Sequence, residues 1–142
     1  MARYRLGPAL SVDAVWIARG RLLLVRRARP PFRGHWALPG GFVNPEETVE
    51  AAVVRELAEE TGLTARPTAI VGVYSGPTRD PRKPVTTVAF RMSGRARVPR
   101  AGDDAAEARW IDLSDLPTLA FDHGTIVKDA LRPQGRGVPG RR

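Results

Sequence analysis

The stretch GFVNPEETVEAAVVRELAEETGL, residues 41–63, carries the most informative pattern of the chain. Residues 48–61 are rich in helix formers and contain no internal Gly or Pro, and Gly62 follows as a suitable left-handed C-terminal cap. The stretch therefore predicts one helix. Its start is ambiguous, because Asn44-Pro45-Glu46-Glu47 has the order of a capping box and Thr48 is an equally good N-cap.

One side of this helix combines an apolar stripe with acidic residues. At about 100° per residue, the stripe consists of Val49, Val53 and Leu57. Glu56 and Glu60 lie about 20° on either side of Val49. Glu59 lies about 60° from Glu56. Three carboxylates therefore crowd the edge of the face that should pack.

Such a cluster needs a neutralising partner, because like charges that are close together and partly desolvated are unfavourable. Hard carboxylate oxygens on one face suit Mg²⁺ or Mn²⁺. Arg55 stands four residues before Glu59 and can orient it. The alternative is a solvated acidic helix face, which explains neither Gly41 and Glu47 nor the acids beside the valines.

The spacing of the whole stretch resembles the signature of the Nudix hydrolases, G-x5-E-x7-R-E-U-x-E-E-x-G-U, where U is a bulky aliphatic residue. Every fixed position from Gly41 to Leu63 is filled. The resemblance implies an α/β (α+β) protein, an α/β/α sandwich with a mixed central sheet. It also implies a helix start near Thr48, and hydrolysis of the pyrophosphate in a nucleoside diphosphate linked to another group.

The resemblance further implies roles for five groups near the motif. The backbone carbonyl of Gly40 and the carboxylates of Glu56 and Glu60 would hold the metal, Mg²⁺ or Mn²⁺. Glu59 would share metal binding and activation of the attacking water. Glu47 would be a further metal ligand or an orienting group.

Residues outside the motif supply further candidates by the same resemblance. A general base often comes from a later loop, which favours Glu107 or Asp104 over Asp103. Arg26 and Arg27 follow a predicted strand and are candidates for contacting phosphate; the alternative for both is a solvated position at a sheet edge.

Four segments outside the motif resemble the ADP-ribose pyrophosphatase branch: WALPGGFV (36–43), VYSGPTRDPR (73–82), GDDAAEARWIDLSDLP (102–117) and LAFDH (119–123). They favour ADP-ribose as the substrate, with AMP and ribose 5-phosphate as products. One alternative is hydrolysis of nucleoside triphosphates, as in MutT-like enzymes, or of RNA 5′ ends. The alternative of another class is a module that senses a nucleotide without turnover.

A substrate pocket requires aromatic or aliphatic walls and a few fixed polar groups. The loop Ser75–Lys83 is expected to form one wall, with Arg79 and Arg82 as substrate-binding residues. The alternative is that both arginines pair with Asp80 in a surface turn. Trp36 is a further candidate, as an adenine-stacking or a core residue. His123, after Asp122, is interpreted as capping the last helix.

Hydrophobic patterning predicts the remaining elements. The expected strands cover Leu10–Ile17, Arg21–Arg27, Trp36–Leu38, Ala65–Tyr74, Val85–Met92 and Arg109–Ile111, with a polar irregular segment over Arg95–Ala106 and a last helix over Gly124–Leu131. These elements and the motif helix are assigned to one domain, residues 1–132. Residues 133–142 are expected to be a flexible basic tail rich in Pro and Gly.

Composition limits the remaining classes of function. The 142 residues contain no Cys, which excludes disulfides and thiol chemistry, and no apolar run reaches the length of a membrane span. The net charge of +8 suits attraction of a small polyphosphate. Nucleic acid is disfavoured as a partner, because no RNA-binding motif is visible. We expect a cytoplasmic protein that is not associated with a membrane, and a homodimer is compatible with the sequence.

Overall fold

The computed structural model describes residues 6–102 and 104–133. The order of its strands and helices resembles the order expected from the sequence. The elements are β1 (Ala9–Val15), β2 (Ile17–Ala18), β3 (Arg21–Arg27), β4 (Trp36–Ala37), β5 (Gly40–Phe42), α1 (Val49–Thr61), β6 (Ala65–Tyr74), β7 (Val85–Gly94), β8 (Ala105–Asp112), a 3₁₀ turn (Leu113–Asp115) and α2 (His123–Leu131).

The strands form two sheets of four. The first has the order β5-β1-β7-β6 and is mixed, because β1 runs parallel to β7 while the other pairs are antiparallel. The second is antiparallel, with β3 paired to β2, β4 and β8. The mixed sheet predicted from the sequence is confirmed, and a second sheet accompanies it.

The two helices cover opposite faces of the first sheet, because side chains alternate along a strand. Val12 and Ala14 of β1 share one core cluster with Leu57 of α1. Val15 of β1 belongs to a second cluster with Ile126 of α2. The result is the expected α/β/α sandwich, and the side chains of β1 that face α2 are available to line a site.

The motif helix begins where the second of its two candidate caps predicts. The hydroxyl of Thr48 accepts the backbone N–H of Ala51 at 3.0 Å, and Gly62 adopts φ 73°, which favours glycine. Glu47 is outside the helix. Its carboxylate accepts the backbone N–H of Asn44 at 2.9 Å, so the capping-box sequence forms a turn that precedes the helix.

The largest differences from the predicted bounds are in the first and the last strand. The first strand ends at Val15 and a separate β2 follows, where Ile17 pairs with Leu22. β8 covers Ala105–Asp112 and not only 109–111, because it pairs with β3 from end to end and so satisfies its backbone groups. The polar sequence of this edge strand hides that pairing.

Neither helix in residues 6–102 and 104–133 has the length and hydropathy needed to cross a lipid bilayer. The predicted tail, apart from Pro133, falls outside the described residues.

Candidate active site

The site is built on the glycine turn at the start of β5, which lies against α1. A Cβ atom on Gly41 would come within 2.4 Å of the Glu56 carboxylate, so a larger residue at this position would displace that side chain. Gly40 donates its backbone N–H to Glu60 Oε1 at 3.1 Å. The turn therefore brings bare backbone to two of the three motif carboxylates that the sequence places on one helix face.

Arg55 connects the other motif acids. Its guanidinium donates to both carboxylate oxygens of Glu47, at 2.5 and 2.8 Å. It also donates to Glu56 Oε2 at 3.0 Å and to Glu59 Oε1 at 3.2 Å. The second amino nitrogen, Nη2, reaches the backbone oxygen of Phe42 at 3.1 Å. One arginine thus holds three carboxylates and the strand beside them.

Burial and charge give the acids different proton affinities. Burial raises the pKa of Glu56, although the hydrogen bond from Arg55 opposes the shift. Burial raises the pKa of Glu60 well above its usual range. The negative charges of Glu56 and Asp13 also raise this pKa, whereas the hydrogen bond from the Gly40 N–H lowers it. Hydrogen bonds from Arg55 and from the Asn44 amide lower the pKa of Glu47 to about 2.

The acids fit a hard divalent cation. Glu60 is half-buried and accepts only a backbone N–H among the hydrogen bonds of the described residues, so its charge has no cationic hydrogen-bond partner. Glu56, 13% exposed at its side chain, lies on the same glycine turn. Within residues 6–102 and 104–133, no group of three acidic or histidine side chains is arranged to hold a metal ion. Glu47, Glu56 and Glu59 instead accept hydrogen bonds from Arg55. Mg²⁺ and Mn²⁺ bind carboxylate oxygens of this kind.

A pocket opens on the other side of the glycine turn. It is bordered by Gly40, Gly41, Arg27, Arg82 and Phe121, among other residues. Arg27 donates from Nε to the backbone oxygen of Pro31 at 2.6 Å and its guanidinium lies 5.0 Å from the Phe121 ring centre. It makes no ion pair within the described residues. Burial, and then the charge of Arg82, lower the pKa of Arg27, while the charge of Glu60 opposes this. Arg27 is therefore a cation near the carboxylates that no acid neutralises directly.

The two arginines of the predicted pocket wall have different partners. Arg82 pairs with Asp80 at 2.8 Å, as the surface-turn alternative expects. Arg79 instead forms a two-pronged pair with Asp122, at 2.6 and 2.8 Å, and donates to the Thr87 hydroxyl at 2.6 Å. The pairing of both arginines with Asp80 is therefore wrong for Arg79. Its side chain borders the pocket but is only 8% exposed, so most of its donors are occupied.

The remaining candidates lie outside this pocket. Glu107 is opposite Arg26 on paired strands, accepts its Nε at 3.2 Å and also contacts Arg109. Asp104 pairs with Arg29 at 3.0 Å. Asp103 is outside the described residues.

Trp36 is also separate from the pocket. It is partly buried against the core cluster of α2, with the Arg109 guanidinium 5.6 Å from its ring centre. It borders a different hollow, which Arg109 and Asp112 share. The structure therefore does not bring Trp36, Arg26, Glu107 or Asp104 to the pocket that Arg27 and Arg82 border.

Sequence reasoning missed two pocket residues, Asp13 and His123. Asp13 Oδ2 lies 3.2 Å from His123 Nε2, and His123 Nδ1 accepts the backbone N–H of Leu38 at 3.0 Å. Both side chains are buried and border the pocket. Asp122 makes no side-chain cap bond, and His123 bridges strands rather than capping α2. The available signal was a lone acid inside the apolar run LSVDAVWI.

Comparison with known proteins agrees with this geometry. The family model of the NUDIX domain matches residues 7–130, so the chain belongs to the Nudix family of pyrophosphohydrolases. It is 48% identical over 134 residues to an ADP-ribose pyrophosphatase of Methanocaldococcus jannaschii. The match covers 93% of this chain and 79% of that protein.

Two solved structures have the same fold. The Nudix domain of Shewanella oneidensis NrtR, complexed with ADP-ribose, matches with a TM-score of 0.80 and 30% identity over 89% of this chain and 88% of that chain. A bifunctional NMN adenylyltransferase/ADP-ribose pyrophosphatase of Francisella tularensis, with AMP and a manganese ion, matches with a TM-score of 0.78 and 29% identity. That match covers 88% of this chain and 41% of the longer protein.

Proposed function

We propose that this Nudix enzyme hydrolyses ADP-ribose to AMP and ribose 5-phosphate and uses Mg²⁺ or Mn²⁺. The likeness to the archaeal ADP-ribose pyrophosphatase, which extends over 93% of the chain, supports the substrate. The observation that carries the proposal is Arg27. It is an arginine without an ion pair among the described residues, and it lies close enough to Glu60 for their charges to interact.

The metal would be held by Glu56 and Glu60, together with the backbone carbonyl of Gly40. When bound, the ion would neutralise phosphate charge and favour ionised water. Glu56 and Glu60 fit this role because burial and mutual repulsion disfavour their charged forms without a cation. Arg55 would orient Glu56 and Glu59, and Glu47 would anchor Arg55 or serve as a further ligand.

In the reaction the oxygen of one water molecule bonds to a phosphorus of the diphosphate, and the bond from that phosphorus to the bridging oxygen breaks. We assign acceptance of the water proton to Glu59, whose side chain is 45% exposed beside Glu56. Glu107 and Asp104 are less suited as general bases, because each is paired with arginine outside the pocket. Arg27, with Arg82 beside it, would hold the diphosphate.

The test is a kinetic comparison of Arg27→Ala with Arg27→Lys on ADP-ribose. Removal of the cation should raise KM about tenfold or more, and lysine should restore part of the loss, because it keeps the charge without the planar guanidinium. Arg66→Ala is the matched control, since Arg66 is exposed on β6. An Arg27→Ala enzyme with wild-type KM would contradict the assigned diphosphate site.

The same assays separate the competing substrates. A wild-type enzyme with a higher kcat/KM for a nucleoside triphosphate or for triphosphorylated RNA would exclude the ADP-ribose proposal. Binding of ADP-ribose without turnover would instead support the sensing module. Asp104, Glu107, Arg26, Trp36 and Arg79 as site residues, the homodimer and the cytoplasmic location stay predictions.

A further inference from the structure

We propose that Asp13 determines specificity: its carboxylate, held in place by His123, accepts a hydrogen bond from a sugar hydroxyl of the group linked to ADP and repels a phosphoryl group at the same place. The inference deepens the proposed function and rests on it. It assigns to the pocket a hydroxyl-bearing nucleoside diphosphate conjugate as the substrate class, in preference to a nucleoside triphosphate.

One oxygen of Asp13 is available to a ligand. Oδ2 lies 3.2 Å from His123 Nε2, whereas Oδ1 accepts no hydrogen bond from the described residues. Within residues 6–102 and 104–133, no fully buried side-chain nitrogen or oxygen lacks a partner. Oδ1 is therefore accessible, and the pocket is the space that Asp13 borders. The carboxylate is also next to the glycine turn, since a Cβ on Gly40 would lie 2.4 Å from Oδ1.

His123 fixes this carboxylate in one position. Its Nδ1 accepts the N–H of Leu38, so the ring proton is on Nε2 and points to Asp13. Both side chains are almost fully buried, 7% exposed for His123 and 8% for Asp13. The close contact with Oδ2 leaves Oδ1 as the oxygen that can accept from a ligand, and His123 acts as a positioning residue between β1 and the turn before β5.

A carboxylate acceptor in this pocket discriminates between chemical groups. Arg27 attracts phosphate oxygens, but a phosphoryl group beside Asp13 would meet a like charge. A ribose hydroxyl can donate to Oδ1 and satisfy it. Sites built to hydrogen-bond a hydroxyl discriminate strongly against analogues without it, because the buried group is then left unpaired. ADP-ribose has a hydroxylated sugar beyond its diphosphate, whereas ATP has a third phosphate there.

The test measures kcat and KM of wild type and Asp13→Asn on ADP-ribose and ATP with saturating Mg²⁺. The ratio of kcat/KM for ADP-ribose over ATP should fall at least tenfold in the variant, mainly through KM for ADP-ribose. An equal loss on both substrates would overturn the inference, because a contact with the shared adenosine affects both. A several-fold rise in the Mg²⁺ concentration for half-maximal rate would also overturn it, because Asp13 would then be a metal ligand.

Two histidine variants test the positioning role. His123→Gln can place a donor near the Nε2 position, whereas the shorter side chain of His123→Asn cannot reach Asp13. We expect glutamine to keep most of the substrate ratio and asparagine to lose it like Asp13→Asn. His35→Asn is the control, because His35 is exposed. If the His123 variants do not fold, the Asp13→Asn series still decides.

The outcomes distinguish the two levels of the account. A wild-type enzyme that prefers ATP overturns both the proposed function and the role of Asp13. A wild type that prefers ADP-ribose, with an unchanged ratio in Asp13→Asn, overturns only the role of Asp13.

Discussion

Arg55 holds Glu47 through two hydrogen bonds, from Nε at 2.5 Å and from Nη2 at 2.8 Å. This pair joins the loop before α1 to the second turn of the helix. Since the same guanidinium also contacts Glu56 and Glu59, the position of the motif acids depends on it. The pair therefore contributes to both stability and the geometry of the site.

The first prediction concerns Glu47→Gln without metal. The pKa of the Glu47 carboxyl group is lowered from 4.5 to about 2 in the folded protein. The ionised carboxylate of the wild type therefore stabilises the fold above pH 4.5, and this contribution is lost as the pH falls toward 2. The variant should melt below wild type at pH 7, and the difference should shrink at pH 3. Thermal unfolding from pH 3 to 7 measures this, with Glu50→Gln, an exposed acid of α1, as control. A constant difference across that range would contradict the pair's role.

The second prediction concerns Glu60→Gln, which keeps the shape and removes one charge. We expect kcat to fall at least 100-fold, about 3 kcal/mol in barrier height. Because burial raises the pKa of Glu60, the metal-free wild type loses stability as the pH rises above the ordinary pKa of the group. The variant should therefore melt at or above the wild-type temperature at pH 8 in chelator. A rate above one third of wild type would remove Glu60 from the metal site.

The third prediction concerns Arg79→Ala. The sequence predicts Arg79 as a substrate-binding residue, but in the structure most donors of this side chain are bound to Asp122 and Thr87. We expect unfolding to become easier by about 3 kcal/mol, because a largely buried charge pair is broken. Urea unfolding measures this, with Arg66→Ala as the exposed control. In a double-mutant cycle, the combined loss with Asp122→Ala should be smaller than the sum of the single losses. Additive losses would show that the pair contributes no coupling.

The elements whose bounds the sequence predicts well are those determined by local residue patterns. Helix propensity and Gly62 define the end of α1, the family resemblance favours Thr48 over Asn44 as its cap, and β3 and β6 match their predicted bounds. β8 is underestimated because its polar residues gain order from pairing with β3, which no local pattern reveals. The family resemblance also associates Glu56 and Glu60 with the glycine turn, whereas spacing alone places them only on one helix face.

Long-range partners are the part of the site that the sequence does not reveal. Asp13 and His123 are 110 positions apart and meet because β1 and α2 pack together. Arg79 and Asp122 are joined in the same way, so proximity in sequence suggested Asp80 as the partner. Which charged residues pair across the fold depends on how the strands and helices pack around the core. The sequence does not show that packing, so these pairs are visible only in the structure.

The fourth prediction concerns the basic C-terminal segment. Removal of residues 133–142 should leave the melting temperature and the rate on ADP-ribose nearly unchanged, because a segment of Pro, Gly and Arg has little apolar area to bury. Calorimetry and steady-state kinetics on the truncated chain measure both quantities. A fall of several degrees would assign the segment to the folded domain.

The most direct test of the central claim is the rate of ADP-ribose hydrolysis by the wild-type enzyme during removal and return of the metal. Product analysis should identify AMP and ribose 5-phosphate in the presence of Mg²⁺ or Mn²⁺. Excess chelator should abolish the reaction, and either ion should restore it, because burial disfavours the charged forms of Glu56 and Glu60, and Glu60 has no cationic hydrogen-bond partner among the described residues. Full activity in excess chelator, or no ADP-ribose hydrolysis with either ion, would contradict the account.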